Sequence, residues 1–204
     1  MSGQNPVTPP ATPAKTLRGK PDAEGLAAAA KRAGKGRGLP PVHLWNPPFC
    51  GDLDMRIARD GTWYYLGTPI NRFALVKLFS SILKLEDGKY YLVTPAEKVG
   101  ITVEDAPFVA VDFSASGEGA AQVLTFTTHV GDSVAAGPEH PVRVAHDPET
   151  GEPAPYVMVR AGLEALIDRK SFYRLADLGT WHEGRFGVWS SGAFFVLEEG
   201  GGTA

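Results

Sequence analysis

The sequence predicts an α+β fold built from two related copies, each a β-hairpin followed by one main helix and further antiparallel strands. The first observation is an Asp60-Gly61 pair between two short β-prone runs, followed by an apolar stripe at helical spacing. The second is that a hairpin and a helix recur in the same order later in the chain. Together they predict antiparallel sheets that each pack against one helix.

The first copy begins with a hairpin of residues 55–59 and 62–66, because Asp-Gly favours a tight turn whose central residues have positive φ. A helix is predicted next, with Thr68 or Asn71 as its cap and Asp87-Gly88 as its end. Its apolar positions recur at helical spacing and are Leu75, Leu78, Phe79, Ile82 and Leu83. Strands are then predicted at residues 89–93, 100–103 and 108–113.

The second copy pairs residues 141–145 with 155–160 around a turn-rich segment. A helix over residues 163–178 and strands at 187–190 and 193–197 follow. In this alignment Arg56 matches Arg143, and Arg72 falls near Arg160, each just before its helix. The alternative is a chance similarity of two hairpin-helix units.

The distribution of charge separates a basic N-terminal segment from an acidic body. Residues 1–40 hold seven Lys or Arg against two acidic residues, a net of +5, and few large apolar side chains. We predict a disordered basic tail there, with a helix-prone stretch at 24–33 that could order on a partner. The body then divides into an N-terminal copy, residues 41–113, and a C-terminal copy, residues 114–204.

Composition excludes several classes of protein. The single cysteine rules out an intrachain disulfide. The sequence contains no run of 18 apolar residues, so we expect no membrane-spanning helix. The N-terminus lacks the apolar region of a secretory signal, so the cytoplasm is the expected location. The body carries 13 basic and 21 acidic residues, so we expect it to have no general attraction to nucleic acid.

Motifs for catalysis and cofactors are scarce. The sequence contains no phosphate-binding loop, no closely spaced histidine pair and no nucleophile elbow, so we expect neither cofactor nor catalytic metal. Acidic pairs such as Asp52/Asp54 and Glu104/Asp105 are present, but adjacency alone does not predict acid–base chemistry. A hydrolase with a carboxylate pair and Glu97 as its base is therefore an alternative.

Arginines and aromatic residues form the most informative set. Five arginines lie on or beside the two hairpins, and they are Arg56, Arg59, Arg72, Arg143 and Arg160. They alternate with Trp63, Tyr65 and Tyr156, whereas residues 99–142 contain no Lys or Arg at all. Guanidinium groups at a seam between the copies would suit an anion, and a ring could stack a base. The alternative is internal salt bridges to Asp54, Glu97, Asp105 and Glu164.

Three segments carry a family resemblance: CGDLDMRIARDGTWYYLGTPINR, YYLVTP-x-E-x-VGITVEDAPF and PYVMVRAGLEAL. Over residues 42–197 the chain resembles a bacterial family known as domain of unknown function 1285. That resemblance implies a duplicated α+β architecture whose second half is loosely similar to pleckstrin-homology folds, with a ligand site between the halves. It also implies a role in signalling, with a nucleotide-like ligand and no established reaction.

The leading hypothesis is a non-enzymatic module that binds a small anionic ligand between residues 42–113 and 121–197. The expected contacts are Arg56, Arg72 and Arg160 for the anion, Trp63 or Tyr65 for stacking, Tyr156 beside them, and Glu97 and Asp105 as polar partners. A protein-interaction scaffold, in which the second half binds a protein partner and the basic tail touches nucleic acid or membrane, is a further alternative.

Overall fold

The computed structural model of the chain describes residues 21–34 and 38–198, in three α-helices and fifteen strands. The helices are α1 (Ala23–Ala33), α2 (Phe73–Ser81) and α3 (Arg169–Ala176). The strands of the first half are β1 (Phe49–Ile57), β2 (Trp63–Tyr65), β3 (Thr68–Pro69), β4 (Leu83–Glu86), β5 (Lys89–Val93) and β6 (Lys98–Val103). Those of the second are β7 (Phe108–Ser116), β8 (Val123–Thr128), β9 (Ser133–Ala135), β10 (Val142–His146), β11 (Pro153–Arg160) and β12 (Leu163–Ile167), followed by β13 (Thr180–His182), β14 (Arg185–Ser190) and β15 (Ala193–Glu198).

Two six-stranded sheets share one topology. Their strand orders are β3-β2-β1-β6-β5-β4 and β9-β8-β7-β12-β11-β10. In each sheet two antiparallel three-stranded units join through a central parallel pair, β1 with β6 and β7 with β12. The predicted α+β class and the duplication are therefore confirmed, but the sheets are not purely antiparallel.

The register of the repeat differs from the sequence alignment. By sheet position the counterpart of β1 is β7, and the counterpart of β10 is β4. Arg56 on β1 and Arg143 on β10 are therefore not equivalent residues, contrary to the predicted alignment. The two hairpins resemble each other because any hairpin shares alternation and turn residues, which is a weaker signal than sheet order.

The predicted hairpin at Asp60-Gly61 is confirmed, with Ile57 opposite Trp63 and Met55 opposite Tyr65. The Ala58 N–H donates to the Thr62 carbonyl at 2.9 Å, so the loop has three residues. Within this loop only Gly61 has positive φ, at 84°. This geometry is that of a turn followed by a bulge at glycine, which is looser than the predicted two-residue turn.

Helix α2 is shorter than its apolar pattern predicts. Arg72 occupies the N-cap position without a side-chain hydrogen bond, so neither Thr68 nor Asn71 caps the helix. The helix ends at Ser81, and the Leu83 that was predicted to continue its stripe begins β4. Asp87 and Gly88, with φ of 49° and 75°, form the turn between β4 and β5 instead of ending a helix.

The second half corrects the longer helix prediction. Residues 163–167 form β12, in which Leu163, Ala165 and Ile167 alternate inward, and α3 begins only after Asp168. The Asp168 carboxylate accepts from the Ser171 N–H at 2.7 Å and fixes the helix start. Strands β8 and β9 were not predicted, although the alternating burial of β8 is typical of a half-buried strand.

Helix α1 packs against α2 and contributes to the main apolar core. Asp22 caps it by accepting from the Gly25 N–H at 2.8 Å, and its buried side chains include Leu26 and Ala30. The stretch 24–33, predicted to be helix-prone and to order on a partner, forms this helix and packs on α2 of the same chain. Residues 1–20 and 35–37 of the predicted disordered tail lie outside the described part. None of the helices within the described residues is both long and apolar enough to span a bilayer.

Candidate ligand groove between the two halves

The turn of the first hairpin meets the second half through Arg59. Its main-chain N–H donates to a Glu104 carboxylate oxygen at 3.1 Å, and its side-chain Nε lies 3.2 Å from the Asp105 carboxylate. Asp105 in turn accepts a 2.7 Å hydrogen bond from the hydroxyl of Tyr156 on β11. These contacts join the hairpin turn, the segment between β6 and β7, and the second sheet.

Tyr156 is held as a neutral phenol. Burial, with the hydrogen bond to the Asp105 carboxylate, raises the pKa of Tyr156 to about 12. The Arg143 guanidinium lies 4.3 Å from the centre of the Tyr156 ring and forms two hydrogen bonds, of 2.7 and 2.5 Å, with Glu164. The pKa of Arg143 is raised, and the hydrogen bonds to Glu164 contribute most to that increase. This cluster is structural, because its charges satisfy one another.

Two adjoining cavities, which we name the seam groove, share Arg59, Glu152 and Ala154. The first has a volume of about 340 Å³ and an acidic wall of four carboxylates: Glu104, Asp105, Asp147 and Glu152. Arg59, His146 and Tyr156 complete its polar lining. Backbone N–H groups of Thr150 and Glu149 donate to Asp147 and lower its pKa, so this carboxylate stays charged at neutral pH. The acidic wall suits hydroxyl or amino donors.

The second cavity, of about 330 Å³, is more apolar and carries two arginines. Its charged residues are Arg59, Arg169, Glu152 and Asp168, and its apolar wall includes Leu166, Phe172 and Tyr173. Arg169 pairs with Glu152 only at 3.8 Å, and both side chains are more than 70% exposed. Such a pair is weak, so the Arg169 guanidinium stays accessible to an anion.

Three of the eight predicted contacts are on the first hairpin but outside the seam groove. Trp63 is buried at 1% exposure and stacks on Phe79, with 6.1 Å between ring centres, so a ligand cannot reach it. Arg56 pairs with Glu104 and lies over the Tyr64 ring. Tyr65 is half-buried and lines a different cavity, beside the start of α1.

Arg72 and Arg160 do not come together. Arg160 donates to the Ser80 carbonyl near the end of α2, whereas Arg72 precedes the start of that helix. Ser80 lies eight positions after Arg72 along the helix, a rise of roughly 12 Å. Glu97 lies in the turn between β5 and β6, where its main-chain carbonyl accepts from the Thr94 N–H at 2.9 Å. Of the eight, the seam groove contains Asp105 and Tyr156.

Some of the five arginines form internal salt bridges, and one also remains exposed enough to contact an anion. Arg143 pairs with Glu164, which is one of the predicted partners, and Arg160 pairs with Asp132 at 2.6 Å, which is not. Arg59 also pairs with a predicted partner, Asp105, but its side chain remains 64% exposed. Within the part of the chain that the structure describes, no group of three or more His, Cys, Asp or Glu side chains could hold a metal ion.

Sequence reasoning did not select several groove residues. Arg59 belongs to the predicted arginine set without being chosen as a contact, and Glu152 and Arg169 come from segments assigned to a turn and a helix. No local pattern could have identified them, because Glu152 approaches Arg59 only through the packing of the two halves. The one available signal is the concentration of charged residues beside the two hairpin turns.

The comparisons with known proteins agree on one family. A model of the N-terminal domain of unknown function DUF1285 matches residues 40–106, and that of the DUF1285 C-terminal domain matches residues 107–197. A crystal structure of a DUF1285 family protein from Silicibacter pomeroyi DSS-3 is 71% identical, with a TM-score of 0.80, over 86% of this chain and 95% of that one. A second, from Shewanella baltica OS155, is 30% identical over 61% of this chain and 91% of that one, with a TM-score of 0.49. No curated protein matches the chain. The two domain models and the Silicibacter relative show that the chain belongs to the DUF1285 family.

Proposed function

We propose that this chain is a non-enzymatic binding module that takes a small anionic, nucleotide-like ligand in the seam groove and serves cytoplasmic signalling. The observation that carries the proposal is the position of Arg59, whose exposed guanidinium lies where the two cavities meet. The cavity volumes, about 330 and 340 Å³, lie within the range of small-molecule sites.

The two cavities suggest how such a ligand would lie. Its anionic group would contact Arg59 and Arg169, and an aromatic ring would stack on Tyr173, which is 62% exposed. Its hydroxyl groups would donate to the acidic wall at Asp105 and Asp147. An anion placed at that wall would be repelled, so the charge pattern fixes one orientation.

The same proposal includes a loose similarity in architecture between the second half and pleckstrin-homology domains. Six of the nine strands of the second half, β7 to β12, form one sheet, and helix α3 follows the last of these six. This similarity concerns architecture, and the proposed site depends on the groove residues instead.

Thermal-shift measurements with adenosine and guanosine monophosphates, sugar phosphates and inorganic phosphate test the proposal. A true ligand at 100 times its Kd should stabilise the protein by about 2.7 kcal/mol, a rise in Tm of roughly 5–10 °C. Arg59→Ala should remove that shift, measured against the variant's own ligand-free Tm. Arg72→Ala is the matched control, because Arg72 is exposed, lies outside the groove and has no ion-pair partner among residues 21–34 and 38–198. The proposal fails if no compound raises the Tm or if Arg59→Ala binds as tightly as the unaltered chain.

A further inference from the structure

His129 contacts β7 and the turn of the first hairpin, two elements that adjoin the first-half residues of the seam groove. The main-chain N–H of Val109 donates to the ring Nδ1 of His129 at 3.1 Å. The main-chain N–H of His129 donates to the Val109 carbonyl at 2.8 Å. On its other side the ring abuts the hairpin turn, because a Cβ added to Gly61 would lie 3.2 Å from Nε2. The imidazole therefore contacts both β7 and the first hairpin.

These contacts require a neutral ring. Nδ1 accepts a hydrogen bond from the Val109 N–H, so it carries no proton itself, and Nε2 holds the ring proton. Nε2 is buried and faces the Gly61 backbone, without a hydrogen bond of ordinary geometry to any described residue. A second proton would have to occupy Nδ1, where it would face the Val109 amide proton and place a charge in an enclosed site.

Nearby charges do not reverse this preference. Four neighbours favour the protonated form: the Val109 backbone, Asp132 in the turn between β8 and β9, and the Gly61 backbone and Asp60 in the hairpin turn. Arg160 pairs with Asp132 and lies over the Phe108 ring beside His129, so it offsets part of that attraction. Burial is the largest cause and lowers the pKa of His129 below its ordinary value.

The contact partners connect this ring to the groove. Gly61 follows Arg59 by two positions, and Val109 lies in the strand that follows Asp105. Both members of the Arg59–Asp105 pair, 3.2 Å apart, are thus close in sequence to a residue that His129 contacts. We propose that protonation of His129 removes its hydrogen bond from the Val109 N–H, opens the contact between β7 and the hairpin turn at Gly61, and weakens ligand binding in the seam groove under acidic conditions. This inference rests on the proposed function for its consequence and on the ring contacts for its mechanism.

Hydrogen exchange of residues 58–62 in the ligand-free chain at pH 7.5 and pH 5, corrected for intrinsic exchange, tests the mechanism. The equilibrium constant for opening of the turn should be larger at pH 5 than at pH 7.5, by up to about 30-fold. This upper limit applies if the ring of the open state has an ordinary pKa near 6.5 and the ring of the closed state stays neutral. His129→Asn should remove this dependence, because the amide oxygen can replace Nδ1 as the acceptor without gaining a proton. His146→Asn should retain it, since His146 lines the groove wall and makes no hydrogen bond or ion pair with residues 58–62 or with Val109 in the described part of the chain.

The inference is overturned if opening is equal at both pH values or if the dependence persists in His129→Asn. Should His129→Asn not fold, an NMR titration of the unaltered chain replaces it. The Gly61 amide resonance should then follow the His129 ring titration, and independent titration of the two would overturn the mechanism. Neither measurement needs a ligand, so a failure here is distinct from a failure of the proposed function.

Discussion

Arg160 donates a 2.8 Å hydrogen bond from its guanidinium to the main-chain carbonyl of Ser80, so a side chain of the second half binds the end of helix α2 in the first. The same guanidinium pairs with Asp132 at 2.6 Å and lies over the Phe108 ring. Arg160 was predicted to contact an anionic ligand. In the structure an internal carboxylate and a helix carbonyl use its donors, which is the salt-bridge interpretation of the arginine set.

Replacing Arg160 should therefore weaken the junction between the halves. Arg160→Ala leaves Asp132 and the Ser80 carbonyl without this donor in a partly buried site, so we expect a loss of about 2–3 kcal/mol in the free energy of unfolding. Urea denaturation measures it, and a double-mutant cycle with Asp132→Ala should give a coupling of about 1 kcal/mol or more. Arg169→Ala, which removes an exposed pair, should change stability by less than about 0.5 kcal/mol. Equal effects of the two alanine variants would contradict the prediction.

The Tyr156 phenol should titrate late. Its folded pKa of about 12 lies above the ordinary value of 10.0, so the neutral form is favoured in the folded state and stability is lost as pH rises from 10 towards 12. Tyrosinate absorbance at alkaline pH should show a late phenol that Tyr156→Phe removes and that Tyr173→Phe, at an exposed site, retains. Tyr156→Phe should also cost about 1–2 kcal/mol at pH 7, because it removes a hydrogen bond to a carboxylate. A late phenol that survives Tyr156→Phe would refute the assignment.

Short sequence patterns predicted those parts of the fold that depend on a few consecutive residues, such as the first hairpin turn. Asp60-Gly61 predicted a hairpin because positive φ at Gly61 is a property of a few consecutive residues. The same local reasoning failed at Leu83, whose helical spacing is overridden by the turn at Asp87-Gly88 and by strand pairing. Periodicity cannot distinguish a helix that continues from a helix that ends in a buried strand.

Long-range contacts determine the groove, and no period in the sequence encodes them. Asp105 and Tyr156 are separated by 51 positions and meet because β11 packs beside the segment that follows β6. Both were predicted as site residues from their charge and aromatic character, but their mutual hydrogen bond was not. Arg59 and Arg169 line one cavity only because the halves pack together, which the sequence alone does not specify.

The turn at Gly61 should be intolerant of a side chain. Gly61 has a φ of 84°, and an added Cβ would lie 3.1 Å from a Val109 methyl carbon and 3.2 Å from His129 Nε2. Gly61→Ala should therefore cost the strain of positive φ, about 1–2 kcal/mol, with a further packing penalty of about 1 kcal/mol or more. Gly67→Ala is the matched control, since Gly67 has a φ of 73° and open space around it. Denaturant titration of both variants isolates the packing cost as their difference, and a difference near zero would show that the turn does not press on His129.

Helix α1 should contribute to stability although the sequence suggests a tail. Leu26 is 1% exposed and lies in the core with Ala30, on the side of α1 that meets α2. Leu26→Ala should lower the free energy of unfolding by about 2–4 kcal/mol if α1 remains docked, since it leaves a cavity in that core. Leu44→Ala, at a site that is 72% exposed, should have an effect within about 0.5 kcal/mol. Hydrogen exchange of residues 73–81 provides a second readout, because undocking of α1 uncovers α2. Unchanged stability together with unchanged exchange in Leu26→Ala would mean that α1 does not cover α2 in solution.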